Sequence, residues 1–110
     1  MKSLRNSVTL IGYLGKDPEV KTYGERKRAT FSLATNDSYR NQKGEKVEDT
    51  QWHSVVIWGS LASVVEKYLK KGNEVCVEGK LIHRSYEAAG EKKYVSEINV
   101  NDLLMLGGKK

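Results

Sequence analysis

One segment of this 110-residue chain has helical spacing, and the sequence around it alternates. Leu61, Val64, Val65, Tyr68 and Leu69 fall at i, i+3, i+4, i+7 and i+8, one apolar stripe of a helix. Ser60 stands where an N-cap hydroxyl belongs. Lys70 and Lys71 suit the negative end of the helix dipole, and Gly72 can take the left-handed turn that stops it. Elsewhere apolar residues recur at every second position, the period of a half-buried strand.

Residues 7–14 put Val8, Leu10 and Leu14 on one face and Thr9, Ile11 and Tyr13 on the other. With both faces partly apolar, this strand is expected to be covered on both sides. A turn at the single proline, Pro18, leads into a short stretch, 19–23, that Gly24 and Glu25 break. Residues 28–35 form a second long strand, with Ala29, Phe31 and Leu33 facing a core and Thr30, Ser32 and Ala34 facing away. Residues 37–49 read as a long polar hairpin loop, and 50–59 (TQWHSVVIWG) as the third strand. After the helix, Val75, Val77 and Leu81 alternate with Cys76, Glu78 and Lys80. The even positions continue through Ile82, Arg84 and Tyr86. Residues 87–93 are a polar connection, 94–100 a fifth strand, and the end is apolar, then loose and basic. The order predicts an all-β fold, a five-stranded Greek-key barrel of the OB type with one α-helix between strands 3 and 4. Length predicts a single domain spanning residues 1–110.

Composition narrows the function. With 38% hydrophobic residues and no apolar run near the ~20 residues of a membrane span, the chain is expected to be soluble and to engage no membrane. No secretory signal is evident at the N-terminus, and the lone Cys76 suits a reducing compartment, so the cytoplasm is expected. A net charge of +5 biases the chain toward polyanions.

Trp52 and Trp58 share one face of the third strand with Ser54 and Val56, roughly 20 Å apart at ~3.3 Å per residue. They are too distant to stack on each other, so they would act as separate platforms. Core burial of both is the ordinary alternative. Val55 and Ile57 already make the opposite face apolar, Ser54 is poor core material, and the flanking loop carries Tyr39, Arg40, Lys43 and Lys46. Exposed platforms for unpaired bases are therefore expected. Tyr86 lies at the far end of the fourth strand beside Lys80 and Arg84, cations able to follow phosphates. His53, His83 and Cys76 lack partners at metal-ligand spacing. Asp17, Glu19 and Glu25 are paired with no nucleophile, and no P-loop is present, so neither catalysis nor a cofactor or metal is expected.

On these residues the sequence resembles the bacterial single-stranded DNA-binding proteins of the homotetrameric OB-fold type, across roughly residues 4–108. The specific blocks are VTLIGYLGKDPEV (8–20), FSLAT (31–35), TQWHSVVIWG (50–59), LKKG (69–72), VEGKL (77–81) and MLGG (105–108). The resemblance implies non-enzymatic coating of single-stranded DNA, without marked sequence preference, during replication, recombination and repair. It also implies a homotetramer and a nucleoid-associated place in the cytoplasm. It carries base stacking to Tyr39, Trp52, Trp58 and Tyr86, and phosphate contacts to Arg5, Arg40, Lys43, Lys67, Lys80 and Arg84. His53 falls where the family has a histidine near the subunit interface. The family usually continues into a flexible linker and an acidic tip, whereas this chain reads Gly-Gly-Lys-Lys at 107–110. That removes the basis for expecting partners recruited through a tail. Other classes compatible with the pattern are a dimeric primosomal OB protein, an OB-fold nuclease and an RNA-binding barrel. The first would lack the aligned aromatics, the second would need clustered carboxylates, and stacking alone does not separate the third.

Overall fold

The computed structural model describes residues 5–106. The basic stretch 107–110, and with it the end of the MLGG block, lies outside the described residues. In chain order the elements are β1 (Val8–Leu14), β2 (Glu19–Tyr23), β3 (Arg26–Arg40), β4 (Lys46–Trp58), α1 (Ser60–Tyr68), β5 (Glu74–Ala88) and β6 (Glu91–Met105). The sheet runs β1-β5-β6-β4-β3-β2 and closes where β1 also pairs with β3, through Tyr13↔Ala34 and Leu14↔Leu33. Five strands (β1, β3, β4, β6 and β5) thus form a closed barrel, and β2 extends β3 beyond it. Counted among barrel strands, the helix follows the third, as expected. Numbered along the chain it falls between β4 and β5, because 19–23 pairs with β3 and is a strand in its own right.

Alternation sorts the barrel into inside and outside. The core holds Leu14, Ala29, Phe31, Leu33, Val55, Ile57, Val75, Val77, Ile98 and Val100, with Ala62, Val65 and Leu69 packed against them from the helix side. Leu33, Val55 and Ile57 are fully buried. In β6 the inward parity changes from Ile98 and Val100 to Leu103. One extra residue, Asn101, accounts for it: Gly79 pairs with Val100 while Glu78 pairs with Asp102.

Several sequence expectations are revised. Residues 37–49 are not a loop. β3 and β4 stay in unbroken register from Arg28↔Trp58 to Arg40↔Lys46, and only a tight turn remains, held by Asn41 Oδ1 accepting from the Lys43 and Glu45 amides. Likewise β5 and β6 pair up to Ala88↔Glu91. Polar side chains misled the reading here, because a two-stranded ribbon projecting into water buries little and need not alternate in hydropathy. The helix begins differently too. Gly59 is the N-cap, at φ 81°, and Ser60 makes no capping hydrogen bond. Only Ala62 and Val65 of the helix are buried, while Val64 and Tyr68 face outward. The second face of β1 is open in the single chain, with Ile11 54% and Tyr13 45% exposed.

Barrel closure depends on a missing side chain. A Cβ on Gly12 would overlap the Ala34 carbonyl, so only glycine lets β1 cross β3 this closely. Gly12→Ala is expected to lower unfolding free energy by about 1–3 kcal/mol, the usual range for overpacking, read as a lower urea midpoint.

Candidate nucleic-acid interface

On β3 the even positions Arg28, Thr30 and Ser32 point outward. Their register partners on β4 are Trp58, Val56 and Ser54, followed by Trp52 opposite Ala34. Next to β4 lies β6, with Asn99 beside Val56, and beyond it β5, with Lys80 opposite Asn99 and Ile82 opposite Glu97. These side chains form one continuous outer surface. Two clefts of about 290 and 370 Å³ are cut into it and share Thr30, Val56, Arg84 and Glu97, so they make a single groove. Lys16, Asp17 and Glu19 close one end. Trp58, Arg28 and Asn99 bound the other.

Trp52 is 61% exposed, and its ring edge lies against Gly15, where a Cβ would come within 2.5 Å of Cζ3. The contact leaves no room for a side chain at position 15, and Trp52 lies two residues along the same face from Ser54 in the groove wall. Trp58 is half-buried within a cluster. Tyr23 lies 6.0 Å away between ring centroids, and the Arg26 guanidinium sits 4.3 Å over the indole. Neither indole is sealed in the core. Tyr86 continues the outward parity of β5 into the β5–β6 hairpin, opposite Lys93, and is exposed.

Tyr39 differs from the other three aromatics. Register along β3 and β4 is unbroken, so an odd position keeps the opposite side of the ribbon from Trp52 and Trp58. Tyr39 is exposed, but on the far face, and the structure does not bring it together with the others.

The cations divide as well. Lys80 and Arg84 line or border the groove. Arg84 is engaged: its Nε donates to Glu97 Oε1 at 2.6 Å, and this bond with the adjacent carboxylate charge raises the guanidinium above its ordinary value. Arg40 and Lys43 belong to the β3–β4 tip, where Arg40 Nη1 donates to the Gly44 carbonyl. Arg5 precedes Asn6, whose side-chain amide exchanges hydrogen bonds with the Leu81 backbone. Lys67 sits in the last turn of α1, away from the strand face. His53 Nε2 lies 3.1 Å from Thr35 Oγ1, and His83 Nδ1 lies 2.7 Å from Ser96 Oγ.

Sequence reasoning missed Lys16, Tyr23, Arg26 and Arg28, all placed at the ends of this groove or beside Trp58. A signal was present. Arg26 and Arg28 are two apart, so any strand through them shows both on one side. Gly24 and Glu25, which look like a break after Tyr23, form a tight turn between β2 and β3.

A closed barrel carrying aromatics beside an open outer groove defines an OB-fold protein equipped to bind an extended polyanion. Comparison with known proteins agrees. Residues 5–106 match the model of the single-strand binding protein family, and the chain belongs to that family. It is 44% identical over 107 residues to single-stranded DNA-binding protein 1 of Chlorobaculum tepidum, an alignment covering 94% of this chain and 66% of that one. Its structure is similar to that of a Plasmodium falciparum SSB in complex with ssDNA, with TM-score 0.86, 38% identity and coverage of 96% and 97%. It is also similar to a deletion mutant of the single-stranded DNA-binding protein of Thermus aquaticus, with TM-score 0.82 and 31% identity, spanning 94% of this chain and 51% of that one.

The Arg84–Glu97 pair places a carboxylate where a phosphate would compete for the same guanidinium. Glu97→Gln should release Arg84 and remove a repulsive charge. Affinity for an oligodeoxynucleotide is expected to rise about fivefold at 0.1 M salt, with log K against log salt steeper by about 0.7, measured by fluorescence titration.

Proposed function

We propose that this chain binds single-stranded DNA with little sequence preference, by stacking bases on Trp52, Trp58 and Tyr86 and matching phosphates with groove cations. The observation that carries the reading is Trp52, a large ring 61% exposed beside an open groove. An indole left in water on a rigid strand, when the same strand buries Val55 and Ile57, has an uncompensated apolar face. Any base can cover it, because every base has a π-face. Tyr39, on the other side of the β3–β4 ribbon, would then take nucleotides on a separate stretch of the strand, with Arg40 and Lys43 nearby at the tip. Arg5, Lys67 and Lys80 complete the proposed phosphate contacts.

The family is one of non-catalytic DNA-binding proteins, and no reaction is assigned to the chain. Coating of single strands during replication, recombination and repair, in the cytoplasm at the nucleoid, belongs to the same reading, as does a single binding domain over the whole chain. Among the described residues no helix is long and apolar enough to cross a membrane.

The reading includes assembly into a homotetramer. It is supported by a second outer face, where Ile11 pairs beside Cys76 and Cys76 beside Leu104. Ile11 and Leu104 are 54% and 62% exposed, an apolar patch with no cover within one chain. Ile11→Glu is expected to lower the solution mass measured by light scattering from four chains to fewer, while leaving the barrel's circular dichroism unchanged.

Intrinsic tryptophan fluorescence, titrated with oligo-dT, tests the binding itself. Strong quenching at a fixed stoichiometry is expected. Trp52→Ala should weaken binding by about 1–3 kcal/mol with little change in unfolding midpoint. Unfolding of the variant without a separable loss of binding would overturn the platform role.

A further inference from the structure

We infer that Arg26 and Arg28 form a phosphate-binding corner at the Trp58 end of the groove, in which the indole holds both guanidiniums ready for the backbone of a bound strand. The inference rests on the single-strand reading above and adds residues to it.

Register places the two arginines. Arg28 lies directly opposite Trp58, and Arg26 is two positions further along the same face of β3. The Gly59 amide donates to the Lys27 carbonyl at 2.9 Å, which fastens the end of β4 to β3 between them. The guanidinium carbon of Arg26 lies 4.3 Å from the Trp58 ring centroid. That of Arg28 lies 5.8 Å from Trp58 and 5.0 Å from Tyr23. These distances fit cation–π attraction to the ring faces. An arginine carries five N–H donors, more than one ring engages, and its planar fork matches a phosphate with two parallel bonds.

Charge balance separates this corner from the neighbouring ion-paired cations. Arg84 is bonded to Glu97 and Lys27 to Glu66, each at 2.6 Å. Among the described residues neither Arg26 nor Arg28 is paired with a carboxylate; their contacts are aromatic. Lys21, opposite Arg28 across β2 and β3, adds a third positive side chain to the same surface. Two unneutralised guanidiniums therefore stand at the Trp58 end, Arg28 in the wall of the groove and Arg26 over the Trp58 ring beside it. A phosphate reaching this point meets two guanidiniums that need not give up a carboxylate partner to bind it.

Shielding of Trp58 from water is the competing explanation for both arginines, and salt dependence separates the two. The full chain and its Arg26→Gln, Arg28→Gln, Arg26→Lys and Arg28→Lys variants are titrated with oligo-dT and oligo-dC across a range of salt. Trp52→Ala serves as a reference. Glutamine keeps a planar group over the ring without the charge, which protects the fold. Each glutamine variant is expected to flatten log K against log salt by about 0.7 and to raise Kd about fivefold at 0.1 M salt, equally for both oligonucleotides. Each lysine variant should retain the wild-type slope. If both glutamine variants keep that slope while Trp52→Ala still loses affinity, the corner is refuted and the single-strand reading stands. If Trp52→Ala also binds as wild type does, the reading beneath the corner falls as well.

Discussion

Closure of the barrel at the crossing of β1 and β3 is the constraint on which the rest depends. An open sheet of these strands would leave two edges and no fixed inside. Pairing Leu14 with Leu33 closes the five barrel strands and gives each an inward side, with one change of parity at the bulge in β6. Once Leu33, Val55, Ile57, Val75 and Val77 share the interior, their even-numbered neighbours point to the outer face, where Ala34 and Val56 are nonetheless covered by the side chains around them. Trp52, Trp58, Lys80 and Arg84 are on the surface because the fold leaves them no other place. Gly12 permits the crossing by lacking the atom that would prevent it.

The sequence made the barrel's core legible and its arms much less so. Residues 29–33 alternate strongly because one face is buried, and that part of the reading carried over without change; 55–57 is apolar and buried throughout, with Val55 and Ile57 turned to the core. The same parity argument placed Trp52, Trp58 and Tyr86 outside. It failed for the ribbons 37–49 and 87–93, where neither face is buried and composition resembles a loop. It also failed to separate Tyr39 from the other aromatics, since its side depends on an unbroken register that only the pairing reveals. The helix was legible as a helix, but the stripe was read too wide. Val64 and Tyr68 have helical spacing yet face water, because a nine-residue helix lying on strand ends buries a narrow face. Arg26 and Arg28 were hidden by the break assigned at Gly24 and Glu25, which is a tight turn between two paired strands.

The groove is not a plain cationic channel. Asp17, Glu19 and Glu97 line it together with Lys16 and Arg84. Asp17 is also structural, its Oδ1 accepting the Lys71 amide at 2.8 Å and tying the loop after β1 to the turn after the helix. A surface of mixed sign holds a polyanion less tightly than the net charge of +5 alone implies. Stacking then carries the part of the interaction that salt does not screen, and the cations carry the part that it does. Such a division suits a protein that must hold a strand and also give it up.

The pairing of β1 with β5 joins Val8 to Gly79, across most of the chain. As the polypeptide leaves the ribosome, β2, β3 and β4 can zip into a meander by short hairpins. β1 must wait, unpaired along one side, until β5 has been made. Closing β1 onto β5 is thus a long-range step, and long-range β pairing is slow. The β1 edge that β5 will occupy therefore stays without its partner until Gly79 and the residues before it have been made.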